Sequence, residues 1–122
     1  MENRRRYSRY ETEIESRIYT ADLNLSVAVV DISEGGIGII SEKPIKIGSK
    51  ISISLFPISK DPINGIPVCS FYVEKDQKYY YRIGIETESL ALESMKSLGF
   101  PKRSRFVTEI ISQIEKTDRK GN

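Results

Sequence analysis

Residues 66–87, IPVCSFYVEKDQKYYYRIGIET, decide how this chain folds. Two stretches rich in β-branched and aromatic residues, IPVCSFYVE and YYYRIGIET, flank the polar KDQK, which predicts a long antiparallel hairpin. The same grammar continues upstream. KISISLF at 50–56 alternates Ile51, Ile53 and Leu55 with Ser52 and Ser54, the pattern of a strand with one face in a core. NLSVAVVD at 24–31 and IGIIS at 37–41 read as two strands around the tight connection ISEGG, and EIESRIYT at 13–20 as a strand before them. PISKDPINGIP, at 57–67, carries Pro57, Pro62, Pro67 and the pair Asn64-Gly65, and so reads as a loop.

The period then changes. SLALESMKSLG, at 89–99, offers Ser89 as a helix cap, Leu90, Leu92, Met95 and Leu98 as apolar positions, and Gly99 as a stop. After Pro101, Ser104 can cap a second helix in which Val107, Ile110, Ile111 and Ile114 fall at three-and-four spacing. That stripe is expected to cover the chain's own strands rather than a membrane. The tail EKTDRKGN reads as solvated and frayed. The expected fold is therefore mainly β, a small six-stranded antiparallel β-barrel followed by one or two short C-terminal helices, with a helix across one opening. It divides into an N-terminal arm at 1–12, a barrel at 13–100, and a C-terminal helix with its tail at 101–122.

Composition narrows the chemistry. At 122 residues the chain is one domain in length, and its 19 Lys and Arg against 17 Asp and Glu argue against a protein that coats nucleic acid. Histidine is absent, which removes the imidazole that serves most acid/base and metal sites near neutral pH. Cys69 is the only cysteine, so neither a disulfide framework nor a multi-cysteine metal site is available; within its apolar strand it reads as a small buried hydrophobe in a reducing cytoplasm. No stretch approaches a membrane span or a signal peptide. The acidic residues are scattered. No catalytic residue, metal site or cofactor is assigned, and the expectation is a binding protein rather than an enzyme.

The positive charge is nonetheless concentrated. Arg4, Arg5, Arg6 and Arg9 stand against Glu2 alone in the first ten residues, and a local basic cluster suits a compact anion. Further along, Asp31, Ser33 and Gly36 form the spacing D-x-S-x-x-G, with acid and hydroxyl on one face of an extended segment. An aspartate can accept from paired N–H donors such as those of a guanine edge, and backbone amides near Gly35 and Gly36 can meet an oxygen. Taken alone, the segment reads as a hairpin turn built from turn-forming residues. Taken with Arg5 and Arg9, which form R-x-x-x-R two strands upstream, it reads differently.

The two motifs in this order, on a β-rich chain of this length, resemble the PilZ domain, the bacterial receptor module for cyclic di-GMP. YYYRIGIE resembles the family's late strand with a central glycine, here Gly84. The resemblance implies that Arg5 and Arg9 meet phosphate oxygens and guanine faces or edges, while Asp31, Ser33 and Gly36 fix a guanine from the barrel side. Arginine suits this task because a guanidinium both forks onto oxygens and stacks on a base. Arg4 and Gly35 are further candidate contacts, and a basic residue at Arg4 is associated in the family with binding a stacked ligand dimer. Arg6 has no assigned role. The resemblance also implies signalling to a protein partner in trans, in motility or biofilm control. Tyr79, Tyr80 and Tyr81 alternate faces, so at least one of those faces belongs to the core. Two other readings stand beside this one: a PilZ-like scaffold that binds no nucleotide, and a small barrel for single-stranded nucleic acid.

Overall fold

The computed structural model describes residues 8–55 and 59–120. Six strands, β1 (Tyr10–Tyr19), β2 (Asn24–Ser33), β3 (Gly36–Ser41), β4 (Ile51–Ser54), β5 (Ile63–Lys75) and β6 (Lys78–Thr87), precede two helices, α1 (Glu93–Leu98) and α2 (Arg105–Lys120). The strands close into an antiparallel barrel in the order β1-β2-β3-β6-β5-β4, with β4 returning to β1 through Arg17, Ile18 and Tyr19. The hairpin predicted from residues 66–87 is its longest feature, running from Gly65 opposite Thr87 to Lys75 opposite Lys78. Its turn places Asp76 and Gln77 at positive φ.

Alternation sends Ile18, Val27, Val29, Ile37, Ile39, Ile51, Ile53, Ile83 and Ile85 into the barrel. Each such side chain contributes about 1.5–3 kcal/mol on burial, so this aliphatic interior is the main force closing the ring. A second cluster lies on the outer wall, where Val107, Ile110, Ile111 and Ile114 of α2 cover Val30, Ile40 and Tyr80. The stripe predicted for the second helix thus packs on the chain's own strands. Ser104 caps that helix, its hydroxyl accepting from the Val107 N–H at 3.2 Å.

Several expectations are corrected. The helix expected across one opening is not α2, which lies against the outer wall, and it is Leu90 and Leu92 of the irregular segment before α1 that reach the barrel interior. Ser89 therefore caps nothing; α1 begins only at Glu93, with Leu92 at its cap position and no side-chain cap bond. Gly99 does end it, at a φ of 86° that favours glycine. Leu98, expected on the buried face, is exposed. The Asn64-Gly65 pair belongs to β5, opposite Ser52 and Ile51 of β4. There the turn signal yields to packing, because a Cβ at Gly65 would come within 2.7 Å of the Ile85 side chain. The tail expected to fray continues as α2 through Lys120. β1 begins at Tyr10, inside the stretch read as an arm.

Candidate functional site

The D-x-S-x-x-G residues sit where β2 turns into β3. Ser33 pairs with Gly36, Ile32 with Ile37 and Asp31 with Gly38, but the register slips between Val29 and Asp31. The β1–β2 ladder slips at the same place, leaving Val30 without a partner in either ladder. Such a bulge re-aims side chains next to it. Val29 and Ile32 face the interior, Val30 faces α2, and Asp31 is left on the outer wall beside Gly38.

Asp31 carries the electrostatics. Its side chain is only 7% exposed, and its Oδ2 accepts from Arg82 at 2.6 Å. Arg9 stands 3.8 Å and Arg103 3.9 Å from the same oxygen. A carboxylate this enclosed needs opposite charge around it, and three guanidinium groups supply it. The Arg9 side chain is 41% exposed and therefore open to an incoming anion. Of the arginine motif, Arg9 alone falls in the structure; Arg4, Arg5 and Arg6 lie outside the described residues.

Two glycines make the floor beside this cluster. Gly38 of β3 pairs with Gly84 of β6, and Gly84 with Cys69 of β5, so a row without side chains crosses the outer wall from Asp31 to Cys69. The resulting cleft encloses about 180 Å³ and is walled by Arg9, Asp31, Cys69, Phe71 and Arg82. Phe71 and Arg82 are cross-strand partners along one side of it. A flat, backbone-floored trough with a carboxylate at one end and arginines at its rim can accept a planar ring bearing N–H donors and an attached anion. Ser33 and Gly36 lie two pairs further along the ladder. The Ser33 hydroxyl donates to the Gly36 carbonyl at 3.3 Å, which is turn chemistry. The turn also holds the chain after β6, since the Gly35 carbonyl accepts from Thr87 N–H at 3.1 Å and the Glu34 carbonyl from Leu90 N–H at 2.8 Å.

The structure brings Arg9 and Asp31 together and sets beside them residues that neither motif contains. Arg82 and Gly38 were legible only as neighbours, one two residues before Gly84 and the other two residues after Gly36 on the same strand face. Cys69 corrects the sequence reading: it is exposed, because the β5–β6 register slips between Pro67 and Cys69 and leaves the thiol on the outer wall. Tyr80 is the buried tyrosine of its run, edge-on to Phe106 of α2 with ring centroids 5.3 Å apart, while Tyr81 packs half-buried against the barrel interior. Tyr79 and Tyr81 gather with Tyr72 away from the trough. Among the described residues, no cluster of three or more acidic or cysteine side chains could hold a metal, and no helix is long and apolar enough to cross a membrane.

A protein-family model described as the PilZ domain matches residues 3–99. The fold is similar to that of the inhibitor of motility MotI/DgrA from Bacillus subtilis, with a TM-score of 0.58 and 17% identity over 79% of this chain and 48% of that one. It is similar to MrkH of K. pneumonia in complex with c-di-GMP, with a TM-score of 0.57 and 18% identity over 97% of this chain and 56% of that one. The PilZ domain of YcgR from Escherichia coli, solved with c-di-GMP, gives a TM-score of 0.54 and 18% identity over 98% of this chain and 95% of that domain. The chain thus spans about half the length of the first two and nearly all of the third. At these identities the likeness is one of fold. No curated protein matches the sequence.

Proposed function

This chain belongs to the PilZ domain family, and from that membership we propose that it is a cyclic di-GMP receptor that acts as an adaptor, without catalysis of its own. The observation that carries the reading is the enclosed Asp31 carboxylate at the head of a glycine-floored trough, with the exposed Arg9 at its rim. In this reading Asp31 accepts from the N–H edge of a guanine, the base lies over Gly38 and Gly84, and Arg9 with Arg5 takes the phosphates. Ser33 and Gly36 shape the turn beside the base, and Gly35 and Arg4 are additional contacts. Arg82 joins them, since it already bonds Asp31 and borders the trough.

The energetics are adequate. Charge-assisted hydrogen bonds contribute about 1.5–3 kcal/mol each, so a handful supplies the roughly 8 kcal/mol of micromolar binding once the entropic cost of association is met. The effect is passed in trans to a protein partner in the cytoplasm, in the control of motility or biofilm formation. Calorimetric titration with cyclic di-GMP, GMP and cyclic di-AMP tests the reading. Selective low-micromolar binding of the guanine dinucleotide, lost in Arg9→Ala, is the expected result, and its stoichiometry tells whether Arg4 brings a second ligand. Absence of heat and of any thermal shift at high ligand overturns the receptor reading and leaves a scaffold whose output is a protein contact.

A further inference from the structure

Arg103 lies outside both sequence motifs and beyond residues 3–99, in the link between α1 and α2. Its side chain is 13% exposed. Nε and Nη2 donate to the carbonyl of Val30 at 3.0 and 2.7 Å, Nη1 stands 3.4 Å from Glu11, and Nη2 stands 3.9 Å from Asp31. One guanidinium therefore holds the bulge that turns Asp31 outward, faces the carboxylate itself, and reaches the strand that follows Arg9. Val30 has no ladder partner, so this fork satisfies a carbonyl that the bulge would otherwise strand.

The link is tied to the base of the arm as well. Thr12 Oγ1 and the Glu13 N–H both donate to the Pro101 carbonyl, at 2.8 and 3.2 Å, and the Ser104 N–H donates to the Glu13 carboxylate at 2.6 Å. Tyr10 stacks on Phe100 with ring centroids 4.8 Å apart. Residues 100–104 thus meet both halves of the candidate site, the strand leading from Arg9 and the bulge beside Asp31, and then lead directly into α2. The Val30 side chain completes the circuit, because it packs beneath α2 while its carbonyl is held by Arg103.

We propose that Arg103 is a positioning residue for the ligand site and that it couples occupancy at Asp31 to the seating of α2 on the barrel wall. The inference rests on the reading that Asp31 contacts cyclic di-GMP. Three arginines now share one carboxylate oxygen. When ligand phosphates draw Arg9 away, Asp31 meets the guanine edge with Arg82 and Arg103 still beside it, and the strand that leads from Arg9 is the one that holds Pro101 and Ser104. A ligand seated on both points secures the start of α2. Coupling of this kind is reciprocal: whatever loosens the link weakens ligand binding, and ligand protects the link.

The test uses the full chain. Amide hydrogen exchange with and without saturating cyclic di-GMP is measured for wild type, Arg103→Met and Arg103→Lys, alongside calorimetric affinity. Expected results are slower exchange across residues 100–112 in liganded wild type and loss of that response in Arg103→Met. The dissociation constant of Arg103→Met rises about tenfold, in the ordinary range of coupling energies, and Arg103→Lys recovers part of it. A merely structural residue would alter stability but would not make α2 exchange respond to ligand. Ligand binding that leaves α2 exchange unchanged, or equal affinity in Arg103→Met, overturns this inference alone. Failure of wild type to bind at all overturns the receptor reading and this inference with it. Should Arg103→Met lose its cooperative unfolding transition, the exchange difference in wild type decides.

Discussion

Replacing Gly38 with alanine is expected to weaken cyclic di-GMP binding through Asp31. A Cβ at this position would stand 2.7 Å from Oδ1, 2.8 Å from Oδ2 and 2.9 Å from Cγ of Asp31. All three distances are well inside the roughly 3.5 Å at which non-bonded atoms attract most strongly. The backbone offers no resistance of its own, because among the described residues the glycines at positive φ are Gly48 and Gly99. The carboxylate must therefore give way, and its 2.6 Å contact with Arg82 goes with it. A charge-assisted hydrogen bond contributes about 1.5–3 kcal/mol. If the displaced carboxylate loses one such bond to the guanine, the dissociation constant rises about tenfold to a hundredfold.

Calorimetry on Asp31→Ala, Gly38→Ala and the double variant reads this directly. Once residue 31 is alanine there is no carboxylate for the new methyl to displace, so Gly38→Ala should cost almost nothing further, a strong departure from additivity. Wild-type affinity in Gly38→Ala, or simple additivity in the cycle, would refute the argument that Gly38 is glycine for the sake of Asp31.

Three further outcomes are expected. Saturating cyclic di-GMP should slow alkylation of Cys69, which is exposed at the far end of the trough, and an unchanged rate would place the ligand elsewhere. Gly36→Ala should destabilise the fold by about 1–3 kcal/mol in chemical denaturation, because its Cβ would overlap the Ile85 backbone carbonyl, which cannot rotate away; a neutral result would contradict the β3–β6 register. Lys75, 3.2 Å from Glu109, holds that carboxyl below its ordinary value of 4.5, with Arg105 adding to the effect. A carboxyl whose pKa is depressed by folding contributes stability above 4.5 and loses it as pH falls through the lower, folded value. The unfolding midpoint of wild type should therefore exceed that of Glu109→Gln at neutral pH and converge on it in acid; a gap that persists in acid would refute the ion-pair account.

The strands were readable from sequence because alternation is a local pattern that burial enforces. Ile51, Ile53 and Leu55 announce their face within seven residues, and the hairpin at 66–87 announces both strands and its turn. What stayed hidden depends on register, which links residues far apart in the chain. The slip at Val68 exposes Cys69, and the slip at Val30 brings Asp31 to the outer wall; neither leaves a mark in hydropathy. Asn64-Gly65 misleads for the same reason, since a pair that favours turns stands here within β5, where the missing Cβ of Gly65 leaves room for the Ile85 side chain. The site divides likewise. Asp31 and Arg9 stand out because each sits in a motif a few residues long and the two motifs in that order resemble a family pattern, whereas Arg82 is 51 residues from Asp31 and Arg103 is 73 from Val30. Those distances collapse only when the barrel closes and α2 docks. The residues that surround Asp31 are thus a product of the whole fold, and the helix that covers Val30 is as much a part of the site's construction as the motif itself.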